Sequence, residues 1–124
     1  MANPNIVNVS NIYGVTTTIY TITTSTSYET FVTNSANSGK IYKINTILFC
    51  NRNNSNSRQI FCDLVQNSDG STISTIIHGA NVPPKTNFIL TSKSAMIYVP
   101  EDRDLKTRAT GNDVSVICSY EEIS

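Results

Sequence analysis

The chain has 124 residues, enough for one domain with a modest hydrophobic core. Only 15% of the residues are charged and the formal net charge is zero, so no basic field exists that would attract nucleic acid or an anionic membrane surface. No apolar run approaches the ~20 residues that span a bilayer, which excludes a membrane-spanning helix.

Small polar residues take the place of the missing charges, because Asn, Thr and Ser together make up 46 of the 124 residues. Threonine suits a pleated strand, whereas asparagine and serine favour turns. The first residues, "MANPNIVNVSNIYG", lack a basic region followed by an apolar core, which indicates a protein made without a secretory signal. We therefore expect its three cysteines to be reduced.

In chain order, runs of β-branched and aromatic residues alternate with clusters of Gly, Pro, Asn, Asp and Ser, and no window has helical periodicity. This pattern predicts nine or ten strands and an all-β fold, a single small antiparallel β-sandwich of jelly-roll-like type with an extended N-terminal arm. Residues 1–14 are the predicted arm and 15–124 the sandwich domain. The strands are predicted near 5–9, 15–23, 28–33, 40–51, 58–66, 72–78, 86–91, 95–99, 105–110 and 113–120.

The N-terminal region holds the first candidate contacts with a partner protein. Ile6, Val7 and Val9 are apolar, but the segment around them is too polar to order itself, so we expect it to bind a partner. Residues 15–27, "VTTTIYTITTSTS", have the lowest complexity in the chain. They have two interpretations, an edge strand or a segment that pairs with a neighbouring chain.

Two apolar stretches, each with one cysteine, flank a polar tract in "LFCNRNNSNSRQIFCDL", residues 48–64. A zinc site needs about four ligands of matched spacing, and His78 is the only histidine, so we interpret the segment as a β-hairpin. Cys50 and Cys62 are then opposed on its inner face, as buried thiols or as a disulfide. The loop of this hairpin is predicted to be displayed, with Arg52, Asn53, Asn54, Asn56 and Arg58 as its candidate contact residues.

The two strands of this hairpin have apolar residues on both faces. Ile44, Leu48, Ile60 and Leu64 share one face and are predicted to form core. The opposite face is expected to be covered by another subunit. Its candidate interface residues are Ile47, Phe49, Phe61 and Val65.

No catalytic or cofactor site is predicted. His78 has no nucleophile and carboxylate at a suggestive spacing. The acidic segment 100–104 lacks the alternating ligands of a calcium loop and contains Arg103, which would oppose the ion. We therefore expect a protein that is not an enzyme and holds no metal or cofactor.

Three segments resemble a known family: "MANPNIVNVSNIYG" (1–14), "SGKIYKINTILFCNRNNSNS" (38–57) and "IYVPEDRDLKTRATGNDVSVICSYEEIS" (97–124). They are similar to the small virion structural proteins of tailed cyanophages and related marine phages. The resemblance covers most of the chain. It implies an all-β protein associated with the capsid or the tail and present in many copies.

The resemblance and the composition together lead to one expected function with two alternatives. The first expectation is a capsid decoration (cement) protein that binds the major capsid protein or another virion protein in the assembled particle. It would be made in the host cytoplasm and form a homo-oligomer, preferably a trimer. The alternatives are a tail, neck or fibre-attachment module, and a carbohydrate- or receptor-binding module that uses the 51–57 loop. No nucleic-acid or membrane partner is expected.

Overall fold

The computed structural model describes residues 8–23 and 26–124, which form nine β-strands and no helix. The predicted all-β class is confirmed, and the strands at 58–66 and 86–91 have the predicted bounds. In chain order the strands are β1 Ile12–Ile19, β2 Glu29–Asn34, β3 Ile41–Asn51, β4 Arg58–Gln66, β5 Thr72–Val82, β6 Thr86–Thr91, β7 Ile97–Val99, β8 Arg103–Ala109 and β9 Val114–Ile123.

The strands form two antiparallel sheets that pack face to face. Sheet A has the order β1-β9-β3-β6, and the short β7 pairs with β3 next to β6. Sheet B has the order β2-β8-β4-β5. With β7 set aside, each sheet has four strands, and the orders β1-β9-β3-β6 and β2-β8-β4-β5 are those of a jelly roll.

The core lies between the sheets and is made by alternating inward side chains. In β9, Val114, Val116, Cys118 and Tyr120 are buried whereas the residues between them are more exposed, as the alternation predicts. Burying each large apolar side chain contributes about 1.5–3 kcal/mol relative to exposure. The largest fully buried apolar residues are Phe49, Ile22, Ile44, Ile47, Ile60 and Leu105.

A β-bulge at Asn45 corrects the prediction that Ile47 and Phe49 contact a partner. Ile44 lies opposite Tyr120 and Thr46 opposite Ser119, so Asn45 is an extra residue without a partner in β9. An extra residue reverses the alternation, so even-numbered residues point inward before the bulge and odd-numbered residues after it. Ile47 and Phe49 are therefore core residues, both 0% exposed in the single chain.

Phe61 and Val65 also prove to be buried within the chain, which corrects their assignment to an intersubunit contact. Both lie on the outer side of sheet B, opposite Arg108 and Asp104 of β8. Phe61 is only 6% exposed, because the Arg108 guanidinium lies 3.8 Å from the centre of its ring and the His78 ring packs edge-on at 5.0 Å. Val65 is 3% exposed.

The hairpin predicted for residues 48–64 is wrong, because the two strands belong to different sheets. β3 pairs with β9, β6 and β7, whereas β4 pairs with β5 and β8, so residues 52–57 cross from one sheet to the other. Asn51 directs this crossing: it is fully buried, and its Nδ2 donates to the carbonyls of Asn56 and Val82, each at 3.0 Å. Cys50 and Cys62 are thus in separate sheets, and all three cysteines are free.

The N-terminal boundary of the sandwich lies earlier than predicted. Residues 12–14 are in β1, where Ile12 lies opposite Ile123, so they belong to the domain and not to an arm. Ser10 and Asn11 donate backbone hydrogen bonds to the carbonyl of Ser124. Of the strand predicted at 5–9, Asn8 and Val9 are not in a strand, and residues 5–7 lie outside the described residues, as do the candidate contacts Ile6 and Val7.

Candidate interaction face

Exposed apolar side chains in the described residues are concentrated on one of the two sheets. Eight large apolar residues are exposed, and only Ile73, in β5, belongs to sheet B. The other seven lie in strands of sheet A or directly next to them: Ile12, Tyr13, Tyr20, Ile89, Met96, Tyr98 and Ile117. The exposure of large apolar residues is therefore uneven between the two sheets.

Charged residues are distributed in the opposite way. The strands of sheet A carry three, Lys43, Glu121 and Glu122, all on the same side of the Asn45 bulge. The strands of sheet B carry seven: Glu29, Arg58, Asp63, Arg103, Asp104, Lys106 and Arg108. Past the bulge, the outer surface of sheet A has no charged strand residue at all.

We define this part of sheet A as the uncharged face. At its centre is a row of three apolar residues on adjacent strands, because Leu48 lies directly opposite both Ile117 and Ile89. Ile89 is 64% exposed, Ile117 39%, and Leu48 is half-buried between them. The face consists of Thr16, Thr18, Thr46, Leu48, Cys50, Asn87, Ile89, Ser115, Ile117 and Ser119.

The bulge that buries Phe49 also creates this face. Without the extra residue, Leu48 would point inward, as the sequence pattern predicted, and Phe49 would point outward. One feature of the sequence does indicate the uncharged face. Ile117 is an apolar residue between Ser115 and Ser119 on the polar side of β9.

Cys50 is the one cysteine of the described chain with access to solvent. It is half-buried on the uncharged face, between Ser115 and Asn87 on the neighbouring strands. Cys62 and Cys118 are buried in the core, where desolvation raises the pKa of both thiols, that of Cys118 to about 12. Because the thiolate is the reactive form, Cys50 can report chemically on whether the face is covered.

The predicted contact loop is only partly displayed. Asn54 and Asn56 are exposed, but Arg52, Asn53 and Arg58 are half-buried and bonded within the chain. The Arg52 guanidinium lies 4.0 Å from the centre of the Tyr20 ring and donates to the Tyr20 carbonyl at 2.8 Å. Asn53 Oδ1 accepts hydrogen bonds from the backbone of Ser55 and Asn56, which shapes the loop tip.

An ion pair ties this loop to the turn before β9. Arg58 Nε and Nη2 donate to the two carboxylate oxygens of Asp113 at 2.8 and 3.0 Å, and Asn53 Nδ2 donates to Asp113 at 2.6 Å. The hydrogen bond from Arg58 is the main reason that the pKa of Asp113 falls to about 2. Arg58 and Asn53 thus have a structural role in joining two loops.

Neither a metal centre nor a pocket is found in the described residues. No group of three or more His, Cys, Asp or Glu side chains there could hold a metal ion. No concave pocket is found there either. His78 is exposed and packs edge-on against Phe61. Residues 8–23 and 26–124 contain no helix that is long and apolar enough to cross a membrane.

No protein-family model matches the chain, and no curated protein matches its sequence.

Proposed function

We propose that this chain is a structural protein of a phage virion, a capsid decoration protein that docks on the major capsid protein through the uncharged face. The observation that carries the proposal is the difference between the two sheets. Past the Asn45 bulge the outer surface of sheet A has no charged strand residue and carries the apolar row of Ile117, Leu48 and Ile89, whereas the strands of sheet B carry seven charged residues. A surface of this composition binds another protein surface with little loss of hydration of charged groups.

The fold and the sequence resemblance both support this role. Jelly rolls build viral capsid domains, but also lectins and cupins, so the fold alone does not decide the function. The segments at 38–57 and 97–124, which resemble small phage virion proteins, include β3 and β9, the two central strands of the uncharged face. The resemblance therefore covers the strands that carry the proposed contact.

Docking of this kind would stabilise a particle by repetition. The apolar row of one copy is small, and burial of Ile89 and Ile117 contributes at most about 1.5–3 kcal/mol each. Many copies bound to the assembled shell, and not to its dissociated subunits, add their binding free energy to the stability of the assembled state.

The proposal is tested first by copy number in purified particles of the phage that encodes the chain, measured by quantitative mass spectrometry. A decoration protein is expected at a copy number comparable to that of the major capsid protein. A copy number as low as that of tail proteins would favour the tail, neck or fibre-attachment alternative. Absence from particles would contradict a virion role.

The docking face is tested by a charge placed on each sheet in turn. Ile89→Lys should abolish binding to particles that lack the protein, because an ammonium would be buried without a partner. Ile73→Lys is the matched control, an exposed isoleucine on sheet B, and should bind as the wild type does. Equal loss of binding by Ile89→Lys and Ile73→Lys would contradict the assignment of the face.

Alkylation of Cys50 should be fast in the free protein and slow on the particle.

A further inference from the structure

Strand β1 forms one edge of sheet A in the part of the chain that the structure describes. Among the described residues it pairs on one side only, with β9, through eight consecutive residue pairs without a register shift. Its sequence, Ile12–Ile19 "IYGVTTTI", contains no charged residue and no proline. An unbroken edge strand of this kind presents a row of backbone N–H and C=O groups that another strand can pair with.

The other edges of the two sheets are each interrupted. β2 carries Glu29 and a register shift against β8, and β5 has three register shifts against β4. β6 follows Pro83 and Pro84 and has a register shift against β3. β7 has three residues and ends before Pro100. Charges, prolines, bulges and short strands are the devices that prevent edge-to-edge pairing, and β1 has none of them.

Gly14 gives an independent indication that a strand approaches β1. It lies within the unbroken part of the strand, and a Cβ placed on it would meet no atom within 4 Å. No bulge, turn or close internal contact therefore requires glycine at this position. Glycine within a strand commonly marks the place where another backbone comes close.

We propose that β1 pairs antiparallel with β1 of a second copy of this chain, across a two-fold axis at Thr16. In this register Thr16 faces its own counterpart, Val15 faces Thr17, and Tyr13 faces Ile19. The Thr16 pair at the axis and the aromatic–β-branched pair of Tyr13 and Ile19 are both of kinds that stabilise antiparallel strands, and no like charges are opposed. Each residue also faces the same side of the sheet as its partner, so the strand is complementary to itself.

Such a pair doubles the uncharged face. The two-fold axis is perpendicular to the sheet, so five strands from each copy form one ten-stranded sheet with both faces on the same side. The uncharged face of one copy is four strands wide and three rows of outward residues long. From the spacings of a sheet it measures roughly 20 Å by 20 Å, about 400 Å². Two copies present about 800 Å², the usual contribution of one partner to a stable interface. The pair has two-fold symmetry, in contrast to the trimer expected from sequence.

The pairing is tested on the isolated full-length protein and does not rest on the proposed virion function. Sedimentation equilibrium should give a reversible dimer. Thr16→Lys should raise its dissociation constant at least about tenfold, since it places two ammonium groups opposite each other at the axis. Thr72→Lys, an exposed threonine on the edge strand β5, is the matched control and should leave the dimer intact. A monomer at all concentrations, or equal effects of both variants, would overturn the proposal.

Cross-linking tests the register in a Cys50→Ser background, in which the remaining cysteines are buried. Thr16→Cys should form an intermolecular disulfide on mild oxidation, because opposed Cα atoms in antiparallel strands are about 4.5–5.5 Å apart. Thr18→Cys should not, because its two copies would be offset by four residues, about 13 Å. A disulfide at position 18 and not at 16 would refute the register, and no disulfide at either position would refute the pairing.

Discussion

Asparagine side chains complete the hydrogen bonds of strand ends in this protein. Asn34, at the end of β2, is fully buried, and its Nδ2 donates to the carbonyls of Lys40 and Val99, each at 3.0 Å. Asn51, at the end of β3, likewise donates from its Nδ2 to two carbonyls, those of Asn56 and Val82. A buried carbonyl without a partner costs about 1–3 kcal/mol, and one amide group here satisfies two of them. The high asparagine content is therefore part of the fold as well as of its turns.

The Arg58–Asp113 pair leads to a prediction about acid stability. Asp113→Asn should lower the free energy of unfolding at neutral pH by about 1–2 kcal/mol, because a half-buried bidentate ion pair is lost. The folded pKa of Asp113, about 2, lies below the ordinary 3.8. Its stabilising contribution is therefore fully present above pH 3.8 and disappears as the pH falls toward 2.

Urea unfolding of the wild type and the variant across this pH range measures the effect. The difference between them should shrink as the pH falls through the interval. Arg58→Ala should show the same pH dependence, and the double variant should lose no more than either single one, because both substitutions remove one interaction. A difference that grows on acidification would contradict the role assigned to Asp113.

At the scale of elements, most strands could be predicted from the sequence but their partners could not. The runs of β-branched residues predicted β4 and β6 with their observed bounds. Pairing depends on contacts between distant residues, which local composition does not encode. Residues 51–57 have the polar composition of a hairpin loop, but the amide of Asn51 bonds to Val82 on the way to sheet B, so the loop connects two sheets.

The bulge at Asn45 explains why alternation assigns Ile47 and Phe49 to the wrong face of β3. Alternation predicts a face only while the register is unbroken, and a single extra residue has no compositional signature. Unbroken alternation therefore predicts Ile47 and Phe49 on a second surface, whereas in the structure they continue the core face of Tyr42 and Ile44. Leu48, assigned to the core by the same reasoning, lies at the centre of the uncharged face.

The bulge can be tested by deletion. Removing Asn45 should lower the free energy of unfolding by more than about 4 kcal/mol or prevent folding, because one half of β3 must then turn its buried side chains outward. Asn45→Ala keeps the extra residue and loses only a 3.1 Å hydrogen bond to Glu121, so it should cost less than about 1 kcal/mol. Thermal unfolding of both variants measures the difference. A stable deletion variant would show that the bulge does not set the faces.

At the scale of the whole molecule, the jelly-roll order brings the two ends of the described chain together. β1 and β9 are neighbours, although they are the first and last strands. The backbone N–H of Ser10 lies 2.7 Å from the carbonyl oxygen of Ser124, and Ser124 donates back to Asn11. Most pairings in both sheets join strands that are distant in sequence.

This arrangement predicts that the chain tolerates circular permutation at a chosen loop. Joining Ser124 to Met1 and opening the chain between Lys93 and Ser94, in an exposed loop, should give a folded protein, with a loss of less than about 2 kcal/mol in the free energy of unfolding. Opening it between Leu48 and Phe49 should abolish folding, because the break falls in β3, which pairs with three other strands. Circular dichroism and urea unfolding compare the two permutants. Failure of the first would contradict the placement of Ser10 and Asn11 beside Ser124, and folding of the second would contradict the central position of β3.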